Sequence, residues 1–328
     1  MNWEILGHEW AVDLLQSQIR NDNFRHAYLF VGPEGVGRQT LALKFAQALN
    51  CTNAPRKGEF CGNCRVCTQI ENMQFADLDV VTPEPPSKGV KVEQIRLLQK
   101  RLALSAYEGG YRVALLHEFE EATISAMNSL LKTLEEPAES VVLIIIAESA
   151  ERLLPTIVSR CEVLRLRTSS LGSLSQGLET RFDIPEDQAQ LISHLSGGRP
   201  GHALTMFRDH EQQVLRTTWL DDHWRLLSLS RVERFEYAEI LARDKDEIYR
   251  ILSLWISLWR DVVLFTTGNN TLLVNLDHLE SIGKLAEQVG MERSFQILSS
   301  LIRTLDLIAR NVNPRLAFEN VMLTLPRR

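Results

Sequence analysis

Leu29–Thr40, LFVGPEGVGRQT, is the stretch that decides the fold of this chain. The apolar run Ala27 to Val31 is predicted to be a buried strand. Gly32, Gly35 and Gly37 make a tight loop, and Leu41 to Leu49 reads as a helix. Strand, glycine loop and helix together form the frame of a phosphate-binding loop. Its consensus, GxxxxGK(S/T), uses the Lys to reach the β and γ phosphates and the hydroxyl to hold Mg²⁺. Here Arg38 stands at the Lys position and Gln39 at the hydroxyl position. The Arg fork is bulkier and less compact as a charge than Lys, so the exchange is not conservative at a crowded site. Gln39 does not replace a hydroxyl, although Thr40 beside it carries one. Competent ATP hydrolysis is not expected. The loop is either a glycine turn kept for packing or a nucleotide site without turnover.

Outward from the loop, the chain alternates. A helix is predicted over Glu9 to Asn21, where Ala11, Val12, Leu14, Leu15 and Ile19 recur at helical spacing. Beyond the loop helix come LDVVTPE, a second strand broken by Pro83, Pro85 and Pro86, and a helix from Ile95 to Ala103. A third strand lies in YRVALLHEF, a helix runs from Ser125 to Glu136, VVLIIIA is a fourth strand and VLRLR a fifth. Strands alternating with helices imply a parallel sheet covered on both faces. No strand is expected after Thr168. SSLGSLSQG has the small polar residues of a linker, two short helices around SGGRPG fill Pro185 to about Arg208, and long amphipathic stretches follow from about Glu211. The fold class is therefore α/β followed by all-α. Trp255 and Trp259, one helical turn apart, are expected in a core or a subunit interface rather than in a base-stacking platform.

Composition bounds the function. The 328 residues allow two or three domains, and the net charge of −6 argues against a protein whose main task is coating nucleic acid. No apolar run is long enough to span a membrane, and the opening MNWEILGHEW lacks a secretion signal, so a cytoplasmic protein is expected. Four of the five cysteines, Cys51, Cys61, Cys64 and Cys67, are spaced C-x₉-C-x₂-C-x₂-C among polar residues that would not bury. Four soft thiolates in so short a segment can close a tetrahedral structural Zn²⁺ site. Cys161, far along the chain, is expected to be a small buried residue.

Two further places carry chemistry. The third strand ends where a nucleotide hydrolase places an acidic pair, but His117 holds the first place and Glu118 the second. Neutral imidazole is a poor Mg²⁺ ligand, so Glu118 reads as a solvated or capping carboxylate. In LLPTIVSRC, Pro155 suits the first turn of a short helix and Arg160 follows that helix, where a surface charge on helix carbonyls is the ordinary reading.

GPEGVGRQT, CGNCRVC, MNSLLKTLEEP (Met127 to Pro137) and LLPTIVSRC (Leu153 to Cys161), in this order and spacing, resemble the bacterial clamp-loader ATPase family of the AAA+ class, over residues 1 to about 208. The remainder is similar only in being helical and of suitable length. The resemblance implies an AAA+ nucleotide-fold domain over 1–167 with a zinc module at about 51–67, a small helical lid over 168–210 and a helical collar domain over 211–328. It implies partners: gamma/tau and delta clamp-loader subunits, and through them the sliding clamp and primer-template DNA. Arg160, in the family's SRC motif, would reach into a neighbour's ATP site, while ATP and Mg²⁺ are not expected to be used by this chain. The family's sensing Arg falls on Gly201 here, or on Arg199 if the alignment shifts by two. The competing reading is a gamma/tau-type motor subunit that hydrolyses ATP, against which Arg38, Gln39 and His117 argue. A stand-alone zinc-containing nucleic-acid module is a third, disfavoured by the acidic balance.

Overall fold

The computed structural model describes residues 3–84, 89–108, 110–269, 273–310 and 312–327. Of the expected proline break, Pro85 and Pro86 lie outside the described residues. Two compact units divide the chain: Met1–Gly177 with Gly198–His202, and Leu178–Gly197 with Ala203–Arg328.

The first unit is built on a parallel sheet of order β2-β3-β4-β1-β5. Its strands are β1 (Ala27–Val31), β2 (Leu78–Val81), β3 (Arg112–Leu116), β4 (Val141–Ala147) and β5 (Glu162–Arg165). The helices are α1 (Glu9–Arg20), α2 (Arg38–Asn50), α3 (Arg65–Glu71), α4 (Val92–Leu102), α5 (Ile124–Glu135) and the short α6 (Pro155–Val158). Strand β4 is buried at every position, as a continuous apolar run between two helical layers must be. Alternate side chains feed two cores. Tyr28, Phe30, Ile144 and Ile146 pack with Leu15, Leu41, Phe45 and Ile70 on one face. Leu29, Val31, Leu143 and Ile145 pack with Ile95, Leu98, Leu130 and Leu134 on the other. Register places Tyr28 opposite Glu162 and Val31 opposite Arg165, so the glycine loop leaves the sheet at the carboxyl end of β1, between β4 and β5. That end is where open α/β sheets hold their ligands.

One local reading needs correction, and one helix lies outside the sequence reading. The stretch SSLGSLSQG is no linker: it begins α7 (Leu171–Phe182). Ser170 Oγ accepts the Ser173 N–H at 3.2 Å, a helix cap, and Leu174 and Leu178 are buried one turn apart. Small polar residues here serve close packing, for a Cβ on Gly177 would come within 2.7 Å of Leu6. Helix α3, inside the cysteine segment, has no apolar period long enough to announce it. Cys64 starts it by accepting the Cys67 N–H on its sulfur.

The second unit is helical, with no strand among the described residues. It holds α8 (Glu186–Leu195), α10 (His210–Leu226), α11 (Arg231–Leu241), α12 (Lys245–Thr266), α13 (Leu279–Val289), α14 (Met291–Ala309) and α15 (Pro314–Thr324), while α9 (Pro200–Arg208) crosses the boundary. Trp255 and Trp259 of α12 are fully buried, one stacked on Phe318 at 5.6 Å, and their indole N–H groups donate to Trp219 O and His223 Nε2. They are core, as the spacing predicts. Among the described residues no helix is long and apolar enough to cross a membrane.

Candidate nucleotide loop, metal cluster and arginine finger

The glycine loop closes as the sequence predicts, but α2 starts earlier than expected, so Arg38, Gln39 and Thr40 form its first turn. Gly37 is the N-cap at φ +104°, a conformation that side-chain-bearing residues rarely adopt. Gly32 and Gly35 complete the bend. Against it lies the start of α9: a Cβ on Gly201 would meet Gly35 O at 2.8 Å, and the His202 N–H donates to that carbonyl at 3.2 Å. Arg199, the shifted candidate, sits three residues before His202 and contacts its Nδ1 at 3.0 Å. Burial and then the Arg199 charge push the His202 imidazole down to about 4.

What fills the loop's surroundings is negative charge. Burial lowers the Arg38 guanidinium from its usual range, and the carboxylates of Glu120, Glu148, Glu34 and Glu118 oppose that shift. Its Nη1 is buried and meets no acceptor. Gln39 turns its amide to Met73 Sδ at 3.6 Å, and Thr40 is exposed. His117, just past β3, is held neutral by burial and by Arg38, with Nε2 buried and unpartnered. Glu118 is exposed and heads a short 3₁₀ turn (Phe119–Glu121) at φ +46°, a strained setting for a residue with a Cβ. Its side chain makes no capping bond there, so of the two roles expected for it only the solvated one fits. Burial and the charges of Glu120 and Glu34 raise its carboxyl above the ordinary value. Glu120 accepts the Glu148 N–H at 2.9 Å through one oxygen, and its other oxygen is buried without a donor. Sequence reasoning missed Glu34, Glu120 and Glu148, because three separate loops bring them together; the acidic run after His117 was the available signal.

The metal candidates converge. The sulfurs of Cys51, Cys61, Cys64 and Cys67 all lie within 4.8 Å of one another, and the four thiols can hold a metal ion. Cys51 Sγ is 3.6 Å from Cys61 Sγ and 4.0 Å from Cys64 Sγ. Metal–sulfur bonds of ~2.3 Å in a tetrahedron separate the sulfurs by ~3.8 Å, so the cluster fits. Backbone N–H groups of Cys61, Cys64 and Cys67 point at sulfurs, which favours thiolate. The cluster is joined to the loop helix: Cys51 is the C-cap of α2, and Gln47 of α2 donates to Cys67 O at 2.8 Å. Trp3 donates to Gly58 O at 3.1 Å, and Lys44 lies 5.0 Å from the centre of the Phe60 ring.

Arg160 stands elsewhere. It follows α6, whose first residue is Pro155, and precedes β5, whose Glu162 pairs with Tyr28 near the amino end of β1. Three strand steps separate Tyr28 from Val31, roughly 10 Å at ~3.3 Å per residue, so Arg160 lies at the opposite end of the strands from its own loop. The guanidinium is exposed, paired with Glu135 at 2.7 Å and donating from Nη1 to Thr156 O at 3.0 Å. Ser159 is exposed, whereas burial pushes the Cys161 thiol up to about 12 and leaves it unreactive.

Comparison with known proteins gives concordant matches. Residues 7–170 match the family described as DNA polymerase III, delta subunit, and residues 214–326 match DNA polymerase III, delta subunit, C terminal. DNA polymerase III subunit delta′ of Bacillus subtilis is 27% identical over 96% of this chain and 95% of its own length. The delta′ subunit of Pseudomonas aeruginosa is 38% identical over 58% of this chain and 57% of its own. Subunit tau of Bacillus subtilis is 26% identical over 96% of this chain but only 60% of its own length. Among solved structures, a DNA polymerase III gamma subunit-related protein of Thermotoga maritima superposes with a TM-score of 0.48 at 17% identity, covering 94% of this chain and 97% of that one.

Proposed function

From the DNA polymerase III delta subunit family, to which this chain belongs, we infer that it works as the delta′ subunit of a bacterial clamp loader, an accessory subunit that does not turn over ATP and lends Arg160 to a neighbour's site. The observation that carries this reading is the position of Arg160: exposed, and at the end of the strands opposite its own loop. A guanidinium placed there serves a phosphate on another subunit.

The loop supports the other half of the reading. Polyphosphate approaching Arg38 would meet Glu34, Glu118, Glu120 and Glu148, His117 offers no hard oxygen of the kind Mg²⁺ prefers, and Gln39 stands in place of the motif's hydroxyl with its amide turned to Met73. Residues 1–167 serve as the AAA+ domain, 168–210 as its lid and 211–328 as the collar that assembles with gamma/tau and delta subunits. The sliding clamp and primer-template DNA are engaged through that complex, in the cytoplasm. An acidic chain suits such a role better than direct coating of DNA. Cys51, Cys61, Cys64 and Cys67 hold a structural zinc, which would tie the segment after α2 to that helix.

The test is a reconstituted loader carrying Arg160→Ala. Removing an arginine finger costs about 10³ to 10⁵ in rate at the site it serves, and a smaller factor in a complex with several sites. Assembly by gel filtration should be intact, clamp- and DNA-stimulated ATPase and clamp loading should fall, and Arg160→Lys should rescue poorly because Lys lacks the planar fork. Normal assembly with both rates at the wild-type level would remove the trans role. The isolated chain should show no ATPase above background; turnover abolished by Glu118→Gln would instead make it a gamma/tau-type motor.

A further inference from the structure

Arg160 does not project freely. Its Nη2 is 2.7 Å from Glu135 Oε1, and its Nη1 donates to Thr156 O at 3.0 Å and lies 3.5 Å from Ser159 Oγ. Glu135 is the last residue of α5, so the carboxylate comes from a different element than the arginine and reaches it across the packing of α5 on α6. The arginine side chain is 36% exposed and the glutamate 51%, which leaves the pair open to water and to a competing anion. We propose that Glu135 is a positioning residue that holds the Arg160 guanidinium back on its own subunit until a neighbour's nucleotide phosphate draws it away. The inference rests on the trans role argued above.

Two physical points shape it. A carboxylate on the fork occupies N–H groups that would otherwise meet phosphate oxygens, and its charge repels the incoming anion. Arg therefore engages only after the carboxylate lets go. An exposed ion pair holds weakly, by a factor of about two to five, so the latch is reversible and is overcome by a polyphosphate with several negative charges. What it adds is a threshold: in an incompletely assembled complex the finger stays home, and idle hydrolysis at the adjacent site is held down.

The experiment uses the complete reconstituted loader with wild-type chain, Glu135→Gln, Arg160→Ala and the double variant. Glutamine keeps the shape of Glu135 and removes its charge, at an exposed position where folding should not depend on it. ATP turnover is measured without clamp or DNA, at low and raised salt. Glu135→Gln should raise this unstimulated turnover, by up to about fivefold at low salt. The difference should shrink as salt screens the wild-type pair, and it should vanish in the Arg160→Ala background. Unchanged or reduced turnover in Glu135→Gln, or an equal rise with and without Arg160, overturns the latch while leaving the trans role standing. Arg160→Ala without effect on the adjacent site is the separate result that defeats the trans role, and the latch with it.

Discussion

Each unit draws an arginine toward its interior, and the two are partnered differently. In the helical unit Arg234 of α11 is 4% exposed and spends all its N–H groups on carbonyls. Nε donates to Leu226 O, Nη1 to Met322 O and Leu325 O, and Nη2 to Leu227 O and Pro326 O, at 2.8 to 3.3 Å. These carbonyls come from the ends of α10 and α15, where helices leave acceptors unpaired and carry partial negative charge. At the glycine loop, Arg38 has a buried Nη1 with no acceptor, beside a buried His117 Nε2 and a buried Glu120 oxygen that also lack partners. Buried polar groups in a purely structural core are satisfied. Arg234 is thus fully paired by helix-end carbonyls, whereas Arg38, His117 and Glu120 lie around the glycine loop where the motif's reactive groups would stand.

Perturbations should separate the two accordingly. The largest effect is expected from the metal, since structural zinc binding in small modules is worth about 10–16 kcal/mol. Protein purified without chelators should contain about one zinc per chain. Chelation or Cys64→Ser should remove it and raise amide exchange over residues 51–67 while the helical unit stays protected. Metal-free protein with a protected 51–67 segment would sink the assignment.

Next comes Arg234→Met, which leaves five carbonyls without donors and should cost about 3–5 kcal/mol. Four of the six tryptophans, Trp219, Trp224, Trp255 and Trp259, belong to that unit, so fluorescence-detected denaturation reads it directly. A cost below about 1 kcal/mol would mean that the carbonyls find water instead.

The smallest effect is a pH dependence of the sheet unit. His202, at about 4 in the folded chain, has a depressed value, so the unfolded chain takes up protons first as pH falls below about 6.5. Stability is therefore fully present above that pH, is lost between about 6.5 and about 4, and changes no further through this group below the folded value. Over about 2.5 pH units at ~1.4 kcal/mol per unit the loss is at most about 3 kcal/mol, and solvent at the half-buried ring brings it lower. Histidines 8 and 117 are lowered by burial in the same sense. His202→Gln should flatten the slope in denaturation curves taken across that window; an unchanged slope would assign the acid sensitivity to other groups.

The fold was legible where the physics is local. Five apolar runs became five strands because a strand buried on both faces has no polar alternation to hide it. Gly37 was legible because its left-handed turn favours glycine, and the short helix α6 because Pro155 suits a first turn. Helix α7 was not, since Ser170 as a cap and Leu174 with Leu178 as a stripe look like linker composition until the burial of those leucines is known. The chemistry divides the same way. His117 and Gln39 are legible as departures from a motif, whereas the ring of Glu34, Glu120 and Glu148 and the pairing of Glu135 with Arg160 depend on tertiary approach. No periodicity encodes them.

Because the glycine loop and Arg160 sit at opposite ends of the paired strands β1 and β5, the sheet unit in its proposed role would be a tile with two unlike edges, one that gives and one that receives. Unlike edges join head to tail, and a row of such tiles either bends round on itself or runs on without limit. A tile that gives an arginine but has a spoiled receiving edge behaves differently from its neighbours. It completes the site before it and opens none of its own, so a row that contains it has a defined last member. In that proposed role Arg38, His117 and the surrounding carboxylates would be the punctuation of an assembly, marking where the repetition stops.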